Sequence, residues 1–398
     1  MSFFRRLFSS ALRDAQQAEA AGNMDLAAER YALAGNRDGA VRMHMARAAR
    51  AADRQGELAA LRDAVRWAGD DAELQATSAA ALGRALWAAA KAEGIATERD
   101  RVRVREAAEL MVQGRDWSRA GEALEAIGDF AGAAQAYSAG GLVEKLERAI
   151  GLDDQESQRE RAEKNALASY QTNLVIGQRD QACADLRMAI DNSEHPQPHR
   201  RLLQELETKL ISSGRVVLRS SQRTSIVVCG GARAVFGRDP LCDVVLAAGG
   251  VSRQHAEIRV GRSGAGVQFT IADLESRNGT RLAGLPLLAA AEVPVQALVD
   301  FGDEAQFEIT RTDDVVALRC NKGRDRGLVV VITAPEQTVA LTRWGIAVQV
   351  EFRNGRPWLA PLADAERVVF ADQALGAVAV QLIRSDTFTV GTALYEVE

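Results

Sequence analysis

Three segments decide how this chain is read: Phe236-Gly237-Arg238-Asp239-Pro240, Val251-Ser252-Arg253-Gln254-His255-Ala256 and Asp273-Leu274-Glu275-Ser276-Arg277-Asn278-Gly279-Thr280. Each is short and polar and lies beside an apolar run such as Asp243-Val244-Val245-Leu246. Turn-forming residues that punctuate apolar runs are the pattern of strands joined by loops. Loops of a β-sandwich gather at its two ends, so residues far apart in sequence can meet there. Arg238 offers a planar fork of donors suited to phosphate oxygens. Ser252 adds a hydroxyl donor and Arg253 a second cation. Charge-assisted bonds of this kind contribute about 1.5–3 kcal/mol each, so a few of them make binding depend on a phosphate. Asn278 carries both a donor and an acceptor and can hold an extended peptide backbone. Gly237 and Gly279 permit the turns that aim their neighbours.

The ordered set G-R, then S-R-x-H, then S-R-N-G-T closely resembles the forkhead-associated domain over about residues 214–312. The resemblance implies that Arg238 and Ser252 contact a phosphate, that Arg253 assists, and that Asn278 holds the main chain of the bound peptide. It implies that His255 buttresses the loops, with no catalytic role. It further implies a preference for phosphothreonine over phosphoserine through enclosure of the γ-methyl. Burying one methyl supplies only about 0.8 kcal/mol, about fourfold, so shape restriction must contribute too. Two departures stand out. Ala283 precedes Gly284 where the family often has asparagine, and Arg277 stands where many relatives carry threonine or serine. Arg277 is open to two readings, a contact to phosphate or acidic residues, or a solvent-facing side chain.

Working outward, the chain changes character near Ile211-Ser212-Ser213-Gly214. Before it, alanine, leucine, glutamate and arginine dominate, the composition of helices. A motif recurs there: Gly22 with Ala27 and Tyr31, Gly128 with Ala133 and Tyr137, Gly177 with Ala182 and Leu186. Glycine allows a tight inter-helix turn, a small residue allows close helix crossing and a larger one fills the groove. The motif resembles the second helix of tetratricopeptide repeats, and Gly56 follows Gly22 by about 34 residues, one such repeat length. The expectation is an α-solenoid of helical hairpins over residues 1–211, whose extended surface holds a second protein partner, or else a compact bundle acting as a spacer. His195 and His199, separated by prolines, read as a helix-leading turn rather than a metal pair.

Beyond residue 312 the sequence is again strand-like, from Val315-Val316-Ala317-Leu318 to Tyr395-Glu396-Val397. Val380 onward parallels Val295 onward in pattern. Residues 313–398 are therefore expected to form a small β domain, with a degenerate sandwich of the same kind as one form of it, used for packing or oligomerisation. Asn354-Gly355 reads as a hairpin turn. The expected fold class is multidomain α plus β: helical region 1–211, phosphopeptide-binding sandwich 212–312, and β domain 313–398.

A net charge of −5 over 398 residues gives no electrostatic footprint for nucleic acid. The four cysteines lie far apart without a CxxC pair, which argues against a disulfide framework or zinc site and fits a cytoplasmic setting. No cofactor or metal is expected. Phe3, Phe4, Leu7, Phe8, Ala11 and Leu12 share one helical face, open to helix packing or to a membrane-surface role with Arg5 and Arg6. No Walker loop, G-x-S-x-G, H-E-x-x-H or kinase set is present, so no enzyme is expected. The expected function is a phosphothreonine-dependent adaptor in bacterial Ser/Thr kinase signalling, whose partner is a kinase or its substrate. The alternative is a structural subunit of a larger assembly, such as a secretion apparatus, that uses the sandwich as a phosphate-independent docking module.

Overall fold

The structure, a computed structural model, describes residues 2–221, 224–263, 266–362, 368–370, 373–376 and 378–398. The side chains of residues 2–9 and Ser263 are outside that description, and so is the expected apolar face of Phe3, Phe4, Leu7 and Phe8. Eleven helices among the described residues precede the strands: α1 (Ser2–Ala20), α2 (Met24–Leu33), α3 (Arg37–Ala49), α4 (Arg54–Ala68), α5 (Ala72–Glu93), α6 (Glu98–Gln113), α7 (Trp117–Glu125), α8 (Phe130–Ala139), α9 (Val143–Val175), α10 (Arg179–Asn192) and α11 (Gln197–Lys209). The chain divides into two compact units, residues 1–159 and 160–398, with the division inside α9.

In the first unit the recurring motif does the work its chemistry suggests. Ala27, Tyr31, Ala133 and Tyr137 are buried. Tyr137 lies so close to Gly121 of α7 that a Cβ there would stand 2.2 Å from its ring. The turns before α2 and α8 are alike: Asn23 N–H donates to Ala18 O, and Asp129 N–H to Leu124 O. The side chain of Asn23 then caps α2 and that of Asp129 caps α8. Gly56 departs from the expected repeat. It sits in the first turn of α4, where its N–H donates to the Asp53 cap, so its spacing from Gly22 does not mark a repeat.

The strands are β1 (Arg215–Ser220), β2 (Ser225–Cys229), β3 (Arg233–Gly237), β4 (Val244–Val245), β5 (Ala256–Ser263), β6 (Gly266–Asp273), β7 (Thr280–Leu282), β8 (Leu285–Pro286), β9 (Ala291–Glu292), β10 (Gln296–Phe301) and β11 (Ala305–Arg311). They continue as β12 (Val315–Lys322), β13 (Val329–Thr333), β14 (Thr338–Ala340), β15 (Val348–Arg353), β16 (Arg356–Pro361), β17 (Val368–Phe370), β18 (Gln373–Ala374), β19 (Val380–Gln381), β20 (Thr387–Val390) and β21 (Ala393–Val397). Among the described residues a 12-stranded sheet runs β18-β17-β20-β21-β1-β2-β13-β12-β11-β10-β7-β8. A five-stranded sheet, β4-β3-β5-β6-β9, and a four-stranded sheet, β14-β15-β16-β19, complete two sandwiches.

The long sheet repeats itself. The order β13-β12-β11-β10-β7-β8 in one half returns as β2-β1-β21-β20-β17-β18 in the other, and β3-β5-β6-β9 corresponds to β14-β15-β16-β19. The hairpin that precedes the first sandwich in the chain completes the second: β1 pairs with β21, Leu218 opposite Val397. The hairpin that precedes the second completes the first: β12 pairs with β11, Leu318 opposite Ile309. The two hairpins meet in parallel, β2 against β13. Alternation sorts their side chains. Val217, Val227 and Val330 enter the first core, whereas Val216, Ile226 and Val329 enter the second.

The boundaries expected at 211/212 and 312/313 are crossed by this pairing, and residues 160–398 form one unit. The C-terminal strands are a second sandwich of the same strand order, without a counterpart to β4 among the described residues. Val380 matches β9 by its place in that order, not the Val295 region. The helices α10 and α11 belong with this sandwich. Gln381 N–H donates to Gly177 O, the Gln381 side chain accepts from Asp180 N–H, and Leu210 bridges to Ile383. Arg179 is buried between Leu174 O, Asp386 and the Phe370 ring. His199 is engaged by Glu163 at 2.8 Å.

Candidate functional site

At one end of the first sandwich the three sequence segments converge on Ser252. Arg238 N–H donates to Ser252 O at 2.9 Å, and Asp239 N–H donates to Arg253 O at 3.0 Å. From the third segment, Arg277 N–H donates to Ser252 Oγ at 2.9 Å. That bond orients the hydroxyl and leaves its proton available to a ligand. Gly237 is required by this approach, since a Cβ there would stand 2.0 Å from Arg253 O. Arg238, Arg253 and Arg277 are all exposed. No hydrogen bond or ion pair engages their guanidinium groups among the described residues.

His255 is fully buried and ties two loops together. Its Nδ1 accepts from Ser252 N–H at 3.0 Å, which places the ring proton on Nε2, facing Gly279 O at 3.1 Å. The ring also lies edge-on to Phe301, with centroids 5.8 Å apart. Burial pushes its pKa down; the Gly279 bond and the Asp273 charge oppose this without reversing it. A neutral imidazole with both nitrogens spent on loop backbone is a strut between the Ser252 and Gly279 loops.

Asn278 is exposed and donates from Nδ2 to Gly250 O at 2.8 Å, which leaves Oδ1 for another donor. Gly279 holds φ +71° and accepts Gly302 N–H at 3.0 Å. Several contributors carried no role in the sequence reading. Asp273 accepts from Ser276 N–H, Ser276 Oγ and Thr280 Oγ1 at 2.9, 2.7 and 2.5 Å. Burial opposes the Asp273 charge, but the bonds from Thr280 and Ser276 outweigh it and hold the carboxyl below its ordinary value. An aspartate that binds its own chain a few residues on was the legible signal. Glu304, which accepts Gly249 N–H at 3.0 Å, gave no such signal. Ala283 and Gly284, at φ 50° and 82°, form the two-residue connection of β7 to β8, so the alanine holds a strained position that asparagine tolerates better.

Residues 234–302 match the family model of the FHA domain. This segment is an FHA domain. The match runs from β3 to β10 and stops short of the β12–β13 hairpin that completes the FHA sandwich. Among solved structures, the chain is similar to the FHA domain of the CT664 protein from Chlamydia trachomatis, at 27% identity over 22% of this chain and 89% of that chain, TM-score 0.18. It is also similar to the FhaA FHA domain complexed with the intracellular domain of Rv3910, at 27% identity over 22% and 91%, TM-score 0.17. A third is the Mycobacterium tuberculosis Rv1747 FHA-1, at 22% identity over 22% and 85%, TM-score 0.18. No curated protein matches the chain. In the second sandwich the connection that corresponds to the Arg238–His255 stretch is shorter: residues 238–255 join β3 to β5, whereas 341–347 join β14 to β15.

Proposed function

We propose that the chain is an adaptor that binds phosphothreonine-containing proteins through its FHA domain, in Ser/Thr kinase signalling. One observation carries the reading: three exposed, unpaired arginines stand on the loop segments that meet at the oriented hydroxyl of Ser252. Arg238 and Ser252 take the phosphate, Arg253 and Arg277 add charge, and Asn278 holds the peptide main chain through its free Oδ1. Gly237, His255 and Gly279 keep the loops in place. FHA domains are protein-interaction modules, and no step here calls for bond-making chemistry. The helical hairpins serve as the surface for a second protein partner. The test is a titration of phosphothreonine and unphosphorylated forms of one peptide against the native protein and Arg238→Ala. Loss of one charge-assisted contact predicts binding weaker by about 10- to 100-fold for the phosphorylated peptide alone. Equal affinity in all four combinations sinks the proposal.

A second reading, a structural subunit that docks without phosphate, is favoured by the second sandwich, on which α10 and α11 pack and whose 341–347 connection is shorter than the 238–255 loop. Co-purification with a larger assembly that survives Arg238→Ala supports it.

A further inference from the structure

Beside the FHA loops lies a cleft of about 350 Å³ with guanidinium walls. Arg215 and Arg219 of β1 border it, with Arg324 and Arg326 of the β12–β13 turn. Val217, Val227 and Leu328 give it an apolar floor. Two carboxylates share the cleft, and both are engaged. Glu398 pairs with Arg219 at 2.9 Å, and Asp325 accepts Ala247 N–H on both oxygens, at 2.9 and 3.0 Å. Arg215 donates from one Nη to Cys242 O at 3.0 Å. Arg324 and Arg326 are exposed, and their guanidinium groups have no partner among the described residues. Four arginine side chains against two acidic side chains leave an excess of positive charge along the cleft on a chain of net charge −5, and a concave wall concentrates that potential.

Position ties the cleft to the FHA loops. Val245 of β4 lines it, and the chain continues from there into the loop that bears Ser252. Asp325 grips Ala247 of that loop, and a Cβ on Gly323 would stand 2.3 Å from Glu304 O. Glu304 in turn accepts Gly249 N–H, next to the residue that Asn278 holds. The turn that supplies Arg324 and Arg326 reaches this end of the FHA domain only because the hairpins of the two sandwiches are exchanged.

We propose that this cleft is a second anion subsite, which takes a further phosphorylated residue of the same partner segment that presents its phosphothreonine. The inference rests on the function proposed above and deepens it: the preferred ligand is a doubly phosphorylated peptide. Arg324 and Arg326 supply the free forks, and the aliphatic floor accepts the stem of the side chain.

The test uses the full chain and a set of peptides with one phosphothreonine, each with one phosphoserine added at a different flanking position, against the singly phosphorylated parent. At one spacing the added phosphate is expected to tighten binding about tenfold, an advantage that disappears in the double variant Arg324→Ala/Arg326→Ala. Lysine at both positions restores part of it. A native protein that binds the parent peptide but gains at no spacing overturns the subsite while leaving the phosphothreonine reading intact. A gain that persists in the alanine variant overturns it as well. No binding of any peptide by the native protein removes both proposals together.

Discussion

At the scale of the residue, the loops of the FHA domain are held together by groups buried behind them. His255 spends both nitrogens on loop backbone, and Gly237 leaves no room for a side chain. Burial depresses the His255 pKa, so the folded chain takes up that proton at lower pH than the unfolded chain, whose value lies near ~6.5. As pH falls below that point the unfolded state binds more protons and stability falls, until the folded value is passed. The midpoint of urea unfolding is therefore expected to be lower at about pH 5.5 than at about pH 7.5, and His255→Gln to flatten that slope. An unchanged slope in the variant removes His255 as its source. Unfolding is the right readout, because phosphate itself titrates near pH 6 and confounds binding.

At the scale of the element, one turn serves two purposes. Gly128 and Gly177 both precede a helix at φ +79° and +78°. A Cβ on Gly128 would meet nothing within 4 Å, whereas one on Gly177 would stand 2.4 Å from Val380 Cγ1 on the edge of the second sandwich. Gly128→Ala is expected to cost only the left-handed backbone penalty, about 1–2 kcal/mol. Gly177→Ala adds a clash in the contact between the α10 turn and β19, and its cost should be clearly larger. Thermal unfolding of the two variants measures the difference; equal shifts would mean that the helices do not dock as described. The motif and its glycines were legible in the sequence because they answer to local turn geometry. Which of these turns meets a sheet edge was not, since Val380 is remote in the chain.

At the scale of the whole molecule, the FHA domain does not end where its sequence signal ends. Val316, Leu318, Cys320, Val330 and Ile332 lie in the first core and come from the exchanged hairpin. A fragment of residues 212–312 would lose them and expose their places in the sheet. It is expected to show no cooperative unfolding and to aggregate, whereas residues 160–398, one compact unit, should fold. A 212–312 fragment that unfolds cooperatively and binds peptide would mean that its own β1–β2 hairpin can close this sandwich in place of the exchanged one.

The sequence by itself determined the alternation of helical and strand-forming halves, the helix-turn motif, and the three loops that meet at Ser252. Each of these is written in neighbouring residues: periodicity, turn chemistry, and charged side chains beside strands. It also held a sign of the exchange. Ile226-Val227-Val228-Cys229 and Val329-Val330-Val331-Ile332 are apolar without interruption, as strands covered on both faces require. Only the tertiary structure decided which strands they pair with. Two hairpins of similar length and composition satisfy either sandwich locally, and the choice is made by contacts across the chain, such as Leu218 with Val397 and Leu318 with Ile309. The same choice places Arg324 and Arg326 beside the loop that leads to Ser252, where no reading of adjacent residues would have put them.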